Sequence, residues 1–147
     1  MKTRILAIDY GMKRIGLALS DESKIIASPI KTVLAEKKLE QTAQKIVDEI
    51  RALEKEKGST IATIIIGNPL HMDGRVGVLA DEVQFLIKHL KTLIETPIIT
   101  WDERLTSVQA ERALRESKMS RKKRTKSVDT VAATIILQSY LDSLPPQ

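Results

Sequence analysis

Acidic residues at well-separated places in this chain have the types and positions needed for phosphate chemistry. Asp9 closes a short apolar run, Asp102 and Glu103 follow another, and Asp129 stands near the start of a helical pattern. An aspartate ending an apolar strand faces partial burial, which is costly unless a cation or hydrogen-bond donors meet it. Alternation along a strand sends Asp102 and Glu103 to opposite faces, so only one of them can look toward Asp9. Asp129 continues a stripe with Ala132, Ala133, Ile136 and Tyr140 at three- and four-residue spacing, and acids on inward stripes are rare unless paired or metal-bound. Three such carboxylates form an all-oxygen site suited to Mg²⁺ or Mn²⁺. Two ions roughly 3.5–4 Å apart can activate water and stabilise the leaving oxygen of a phosphodiester. Plainer roles compete at each position. Asp9 can cap a turn, Asp102 and Glu103 can pair with Arg104, and Asp129 can sit in a first helical turn favoured by the macrodipole.

The elements that must position these groups follow from periodicity. Arg4 to Asp9 reads as a central strand buried on both faces, Ile15 to Leu19 as a second, and Ile25 to Val33 as a third. Pro29 assigns the third to an edge, and the close spacing makes the three an antiparallel meander. A helix is predicted from about Ala35 to Lys57, stopped by Gly58. Ile61 to Ile66 is a fourth strand, ending at Gly67-Asn68-Pro69. A second helix is predicted over Val76 to Glu95, with Val83, Leu86, Ile87, Leu90 and Leu93 facing inward. Pro97 to Trp101 is a fifth strand. Thr106 is a candidate N-cap for a helix to about Glu116, and a last helix covers roughly Ser127 to Leu141. The order predicts an α/β fold with a five-stranded mixed sheet flanked by helices, in which strands one, four and five are parallel. Ligands of such sheets bind beyond the carboxyl ends of the parallel strands, where Asp9 and the Asp102–Glu103 pair emerge.

Composition narrows the partners. The 147 residues are 42% hydrophobic and 29% charged, the profile of one globular domain over 1–147. No apolar run is long enough to cross a membrane, and the run after Met1 is too short for a signal peptide. The absence of cysteine excludes disulfides, thiol catalysis and thiolate metal sites and fits a cytoplasmic location. His71 and His89 are the only histidines. The net charge is +5, and six cations (Lys118, Arg121, Lys122, Lys123, Arg124 and Lys126) fall within one acid-free stretch. Without them 18 basic residues face 19 acidic ones, so the positive excess belongs to that stretch. It reads either as a solvated linker or as a polyanion contact.

The residues then match a known pattern. Ala7-Ile8-Asp9-Tyr10-Gly11 with Arg14-Ile15-Gly16-Leu17-Ala18, Gly67-Asn68-Pro69-Leu70-His71-Met72-Asp73-Gly74, Asp102-Glu103-Arg104-Leu105-Thr106-Ser107 and Asp129-Thr130-Val131-Ala132-Ala133 follow in order across nearly the whole chain. The sequence resembles the YqgF family of RNase H-like nucleases, also described as RuvX-type Holliday junction resolvases or pre-16S rRNA nucleases. The resemblance implies a three-layer RNase H-like fold and a catalytic metal-binding trio of Asp9, Glu103 and Asp129, which selects Glu103 over Asp102. It implies two Mg²⁺ or Mn²⁺ ions, with Arg104, Lys122, Lys123 and Arg124 holding substrate phosphates. The loop beginning at Gly67-Asn68 would border this site. His71 stands where the family often has Asn, and no catalytic role is assigned to it. The implied substrate is precursor 16S rRNA, matured at its 5′ end, with ribosomal particles as partners and a monomer or homodimer as the working form. Structured four-way DNA is the alternative substrate.

Two rivals belong to other classes. Asp9-Tyr10-Gly11 also fits the phosphate loop of the actin and sugar-kinase type, but those proteins place nucleotide between two domains. A non-catalytic nucleic-acid-binding factor is the second. Four aromatic residues, 3% of the chain, make no base-stacking platform, so binding by such a factor would be electrostatic and salt-dependent.

Overall fold

The computed structural model describes residues 2–68, 78–102 and 121–145, with the backbone alone described at 78 and 121–129. Five strands form one sheet: β1 (Thr3–Tyr10), β2 (Arg14–Ser20), β3 (Ala27–Leu34), β4 (Thr60–Asn68) and β5 (Ile98–Asp102). Among the described residues three helices accompany them: α1 (Leu39–Lys57), α2 (Val78–Leu93) and α3 (Arg121–Ser143). The predicted helix capped by Thr106 lies outside the described residues.

The strand order is β3-β2-β1-β4-β5. β1, β2 and β3 pair antiparallel as the meander predicted, with Leu6 opposite Leu19 and Asp9 opposite Gly16. β1, β4 and β5 are parallel, so their carboxyl ends share one edge. β3 lies at the margin with Pro29, whose missing N–H a central strand would need.

Alternation along the strands divides the core into two layers. Leu6, Ile8, Tyr10, Ile15, Leu17, Ile64 and Ile66 face α1 and α2, packing against Ile46, Ile50, Val83, Leu86 and Leu90. On the other face Ile5, Ala7, Ala18 and Ile65 pack against Ala133, Ile136, Leu137 and Leu141 of α3. The alanines there let α3 approach the sheet closely. The result is the helix–sheet–helix sandwich expected for an α/β order.

Three expectations are corrected. The first helix begins at Leu39 rather than near Ala35, because the Ala35 N–H donates to the Lys13 carbonyl (3.0 Å) and the Glu36 N–H to Thr42 Oγ1 (2.9 Å). The first bond ties Ala35 to the β1–β2 turn and the second caps Glu36 with a side chain of α1, so neither N–H joins a helical ladder. Leu93 is 37% exposed, since the inward position after Leu90 is Ile94, which packs on the core one helical step further. The last helix starts at Arg121, six residues before the expected Ser127, so most of the basic stretch is helical and not a linker. Gly58 ends α1 as read, with φ 63° and its N–H on the Glu54 carbonyl at 2.9 Å, a left-handed turn that suits glycine.

Candidate active site at the carboxyl edge of the sheet

Asp9 is the penultimate residue of β1, half-buried between fully buried Ile8 and the almost buried Tyr10. Its parity along the strand is that of Ile5 and Ala7, which places it on the α3 face. Its cross-strand partner is Gly16, which contributes no side chain beside the carboxylate. On the parallel side Ile8 aligns with Ile66 and Ile66 with Thr100. The row through Asp9 therefore continues to Gly67 and Trp101, a pair in register. The carboxylate thus stands near the end of the central strand, with a buried glycine in register on either side.

The strand end beneath Asp9 is held from the opposite face. The Tyr10 hydroxyl donates to Glu82 Oε2 of α2 at 3.0 Å. Burial, and then the Glu82 carboxylate, push the Tyr10 phenol up to about 12, so it remains a neutral donor. Sequence reading missed this pair; Tyr10 in the first matching block was its only signal.

Asp102 is the last residue of β5, opposite Asn68. Trp101 packs with the α3 layer, edge-on to Tyr140 with ring centroids 5.6 Å apart at 88°. Ile98 packs with the α1–α2 layer. By alternation Asp102 shares the face of Ile98, opposite to Asp9. Glu103 and Arg104, the next two predicted site residues, lie outside the described residues, as does the whole of 69–77, including His71.

Asp129 is the ninth residue of α3, beyond two full turns, where the macrodipole no longer favours an acid. It precedes Ala133 by four positions and Ile136 by seven, both of which pack on the sheet. Lys122, Lys123 and Arg124 occupy the first turn of the same helix, which contains no acid. The side chains of Asp129 and of these three cations are outside the described groups. Among the described residues no three potential metal ligands gather, two of the expected trio not being among the described side chains. His89 is half-buried within α2, away from this edge, as the helix assignment anticipated.

A clasp that sequence reading also missed fixes α3 on the sheet. Gln138 Nε2 donates to the Ile25 carbonyl at 2.8 Å, and its Oε1 accepts the Ala27 N–H at 2.9 Å. Near that clasp, Ser23–Ile25 with Leu141, Asp142, Leu144 and Pro145 line a cavity of about 410 Å³. It lies at the other end of the sheet from Asp9, where β2 turns into β3, and shares no residue with the carboxylate edge.

A five-stranded mixed sheet in the order β3-β2-β1-β4-β5 with helices on both faces is an RNase H-like fold. This fold is shared by the fowlpox virus resolvase solved with substrate Holliday junction DNA, at a TM-score of 0.60 and 15% identity over 99% of this chain and 100% of that one. Residues 3–143 match the RuvX family model, described as Holliday junction resolvase, and the chain belongs to that family. A relative from Protochlamydia amoebophila, named "Putative pre-16S rRNA nuclease", is 59% identical over 96% of this chain and 94% of its own length. One of the same name from Endomicrobium trichonymphae is 45% identical, covering 95% of each chain. The family is thus one of nucleases, hydrolases of phosphate esters. Among the described residues no helix is long and apolar enough to cross a membrane.

Proposed function

We propose that this chain, acting as one nuclease unit over 1–147, is a cytoplasmic metal-dependent nuclease that matures the 5′ end of precursor 16S rRNA. Asp9, Glu103 and Asp129 are its metal ligands, and Arg104, Lys122, Lys123 and Arg124 hold the substrate backbone. The observation that carries the reading is Asp9, a half-buried carboxylate at the end of the central strand on the face packed by α3.

Other features support it. The pleat that turns Asp102 away from Asp9 would return the next residue, Glu103, toward it. Gln138 anchors α3 at Ala27, and Ala27 pairs with Ser20, which in turn meets Ile5. Asp129 lies nine residues up the helix from Gln138, a rise of about 14 Å, and Asp9 lies four residues up β1 from Ile5, about 13 Å. The two rises match, which supports the reading that both acids serve one site. The donor set is all carboxylate, with no thiolate and no histidine, and so fits a hard cation.

Mg²⁺ or Mn²⁺, when bound, would supply a nucleophilic water and charge stabilisation at phosphorus. The protein's part is to hold three carboxylates on rigid elements and to seat phosphates against them. Cations in the first turn of α3 oppose the helix dipole, a cost that bound phosphates offset.

The description of the family and the fold shared with the fowlpox enzyme favour a second reading, resolution of four-way DNA. Cleavage of 5′-extended 16S precursor, unstructured single-stranded RNA and a four-way DNA junction, each with Mg²⁺ or Mn²⁺, decides between them. Preferential, metal-dependent cutting of the precursor is expected. Preference for the junction would replace rRNA maturation with resolution, and salt-sensitive binding without any cutting would leave a binding factor.

A further inference from the structure

The turn from β1 to β2 has no role in the site described so far. It contains Gly11, Met12 and Lys13 and leads into Arg14; Met12 is 59% exposed, and both cations are exposed. Several other cations near the sheet are partnered, Lys2 and Arg4 with Glu22, Lys31 with Glu49 and Lys45 with Glu36, while Lys24 in the β2–β3 turn has no acid partner among the described residues. Among the described residues no acid pairs with Lys13 or Arg14.

Arg14 also stands on the site's own face. Ile15, Leu17 and Leu19 belong to the α1–α2 layer, whereas Ala18 belongs to the α3 layer. Arg14 therefore shares the face of Gly16, Ala18 and Asp9. It is the diagonal neighbour of Asp9 across the Asp9–Gly16 pair, about 7–8 Å away between backbones and within reach of a long side chain. Gly16, between them on that face, contributes no side chain.

The turn is held at both ends. The Lys13 carbonyl accepts the Ala35 N–H at 3.0 Å. A Cβ on Gly11 would stand 2.5 Å from the Arg14 carbonyl oxygen, so only glycine allows this approach. Cations on a fixed turn bind an anion with little further ordering of the backbone.

We infer that Lys13 and Arg14 form a second backbone-phosphate site, on the β2 side of Asp9, separate from the cations at the start of α3. The ligand is a phosphodiester of the nucleic-acid strand being cut, next to the scissile one, so the inference rests on the nuclease reading above. Such contacts position a strand without reading its sequence.

The test is fluorescence anisotropy in EDTA with a labelled 20-nucleotide single-stranded RNA and a labelled four-way DNA junction, across a salt series. Lys13→Gln/Arg14→Gln is compared with wild type and with Lys55→Gln/Lys57→Gln, which removes equal charge at the exposed far end of α1. The turn variant is expected to bind about tenfold more weakly, with a log K against log salt slope smaller by one to two. Its melting temperature should not change, and with metal KM should rise while kcat is kept. The α1 variant should bind within twofold of wild type. Equal binding by the two variants, or a loss of kcat with unchanged affinity, would overturn the phosphate site while leaving the nuclease. Wild type that neither binds nor cuts either probe would remove both readings together.

Discussion

Asp9 gains its chemical potential from its neighbours. Ile8 and Tyr10 bind the strand end into the α1–α2 core, while Asp9 alternates to the other face and finds glycines at Gly16 and Gly67 along its row. The Tyr10–Glu82 bond ties that strand end to α2, so a change there is felt as stability with a characteristic pH dependence. Tyr10→Phe should lower stability by about 1 kcal/mol near neutral pH. The folded phenol ionises only near pH 12, whereas an unfolded tyrosine ionises near 10. Wild type thus keeps the full contribution below about pH 10 and loses it as pH climbs toward 12. Urea denaturation at several pH values should show the gap between wild type and Tyr10→Phe closing over that interval; a gap constant to pH 12 would dissociate the pair from stability. Asp9 itself was legible from its place at the end of an apolar run. The Tyr10–Glu82 contact was not, because its partners are 72 positions apart and no local pattern joins them.

The strands could be read from sequence because each is a short apolar or alternating run, and Pro29 marked the edge. Helix starts were harder. Ala35 is drawn out of α1 by a bond to Lys13, a contact across the sheet. By charge the stretch from Arg121 to Lys126 reads equally as a solvated linker or a polyanion contact, with the last helix beginning only after it, yet Lys and Arg are good helix formers and the structure continues α3 through them. That extension matters for Asp129, which moves from a first turn, where any acid is welcome, to a third turn on the stripe that packs against the sheet. The position of α3 depends on Gln138, whose amide meets one donor and one acceptor of the chain at Ile25 and Ala27. Gln138→Ala should cost about 1–2 kcal/mol in chemical denaturation, and Gln138→Glu, which keeps the acceptor but loses the donor beside Asp142, should not restore it. An unchanged midpoint in both variants would show that packing alone seats the helix.

At the scale of the whole molecule, topology brings distant sequence to one edge. The parallel order β1, β4, β5 aligns the ends of three strands, and α3 crosses the face that Asp9 shares. The order of elements carried this architecture, since parallel strands joined by helices admit few arrangements. Spacing could not choose between Asp102 and Glu103. The observed pleat puts Asp102 on the face opposite Asp9 and so gives a physical reason for the preference that family resemblance had supplied. That choice is the sharpest exposure of the proposal. Metal-dependent cleavage of 5′-extended 16S precursor should be compared across wild type, Asp9→Asn, Glu103→Gln, Asp129→Asn and Asp102→Asn, with folding and binding checked for each. The first three variants should lose at least about a hundredfold in kcat while still binding RNA, and Asp102→Asn should stay close to wild type. Full activity in Asp9→Asn, or loss in Asp102→Asn with Glu103→Gln still active, would contradict the carboxylate site proposed at this edge.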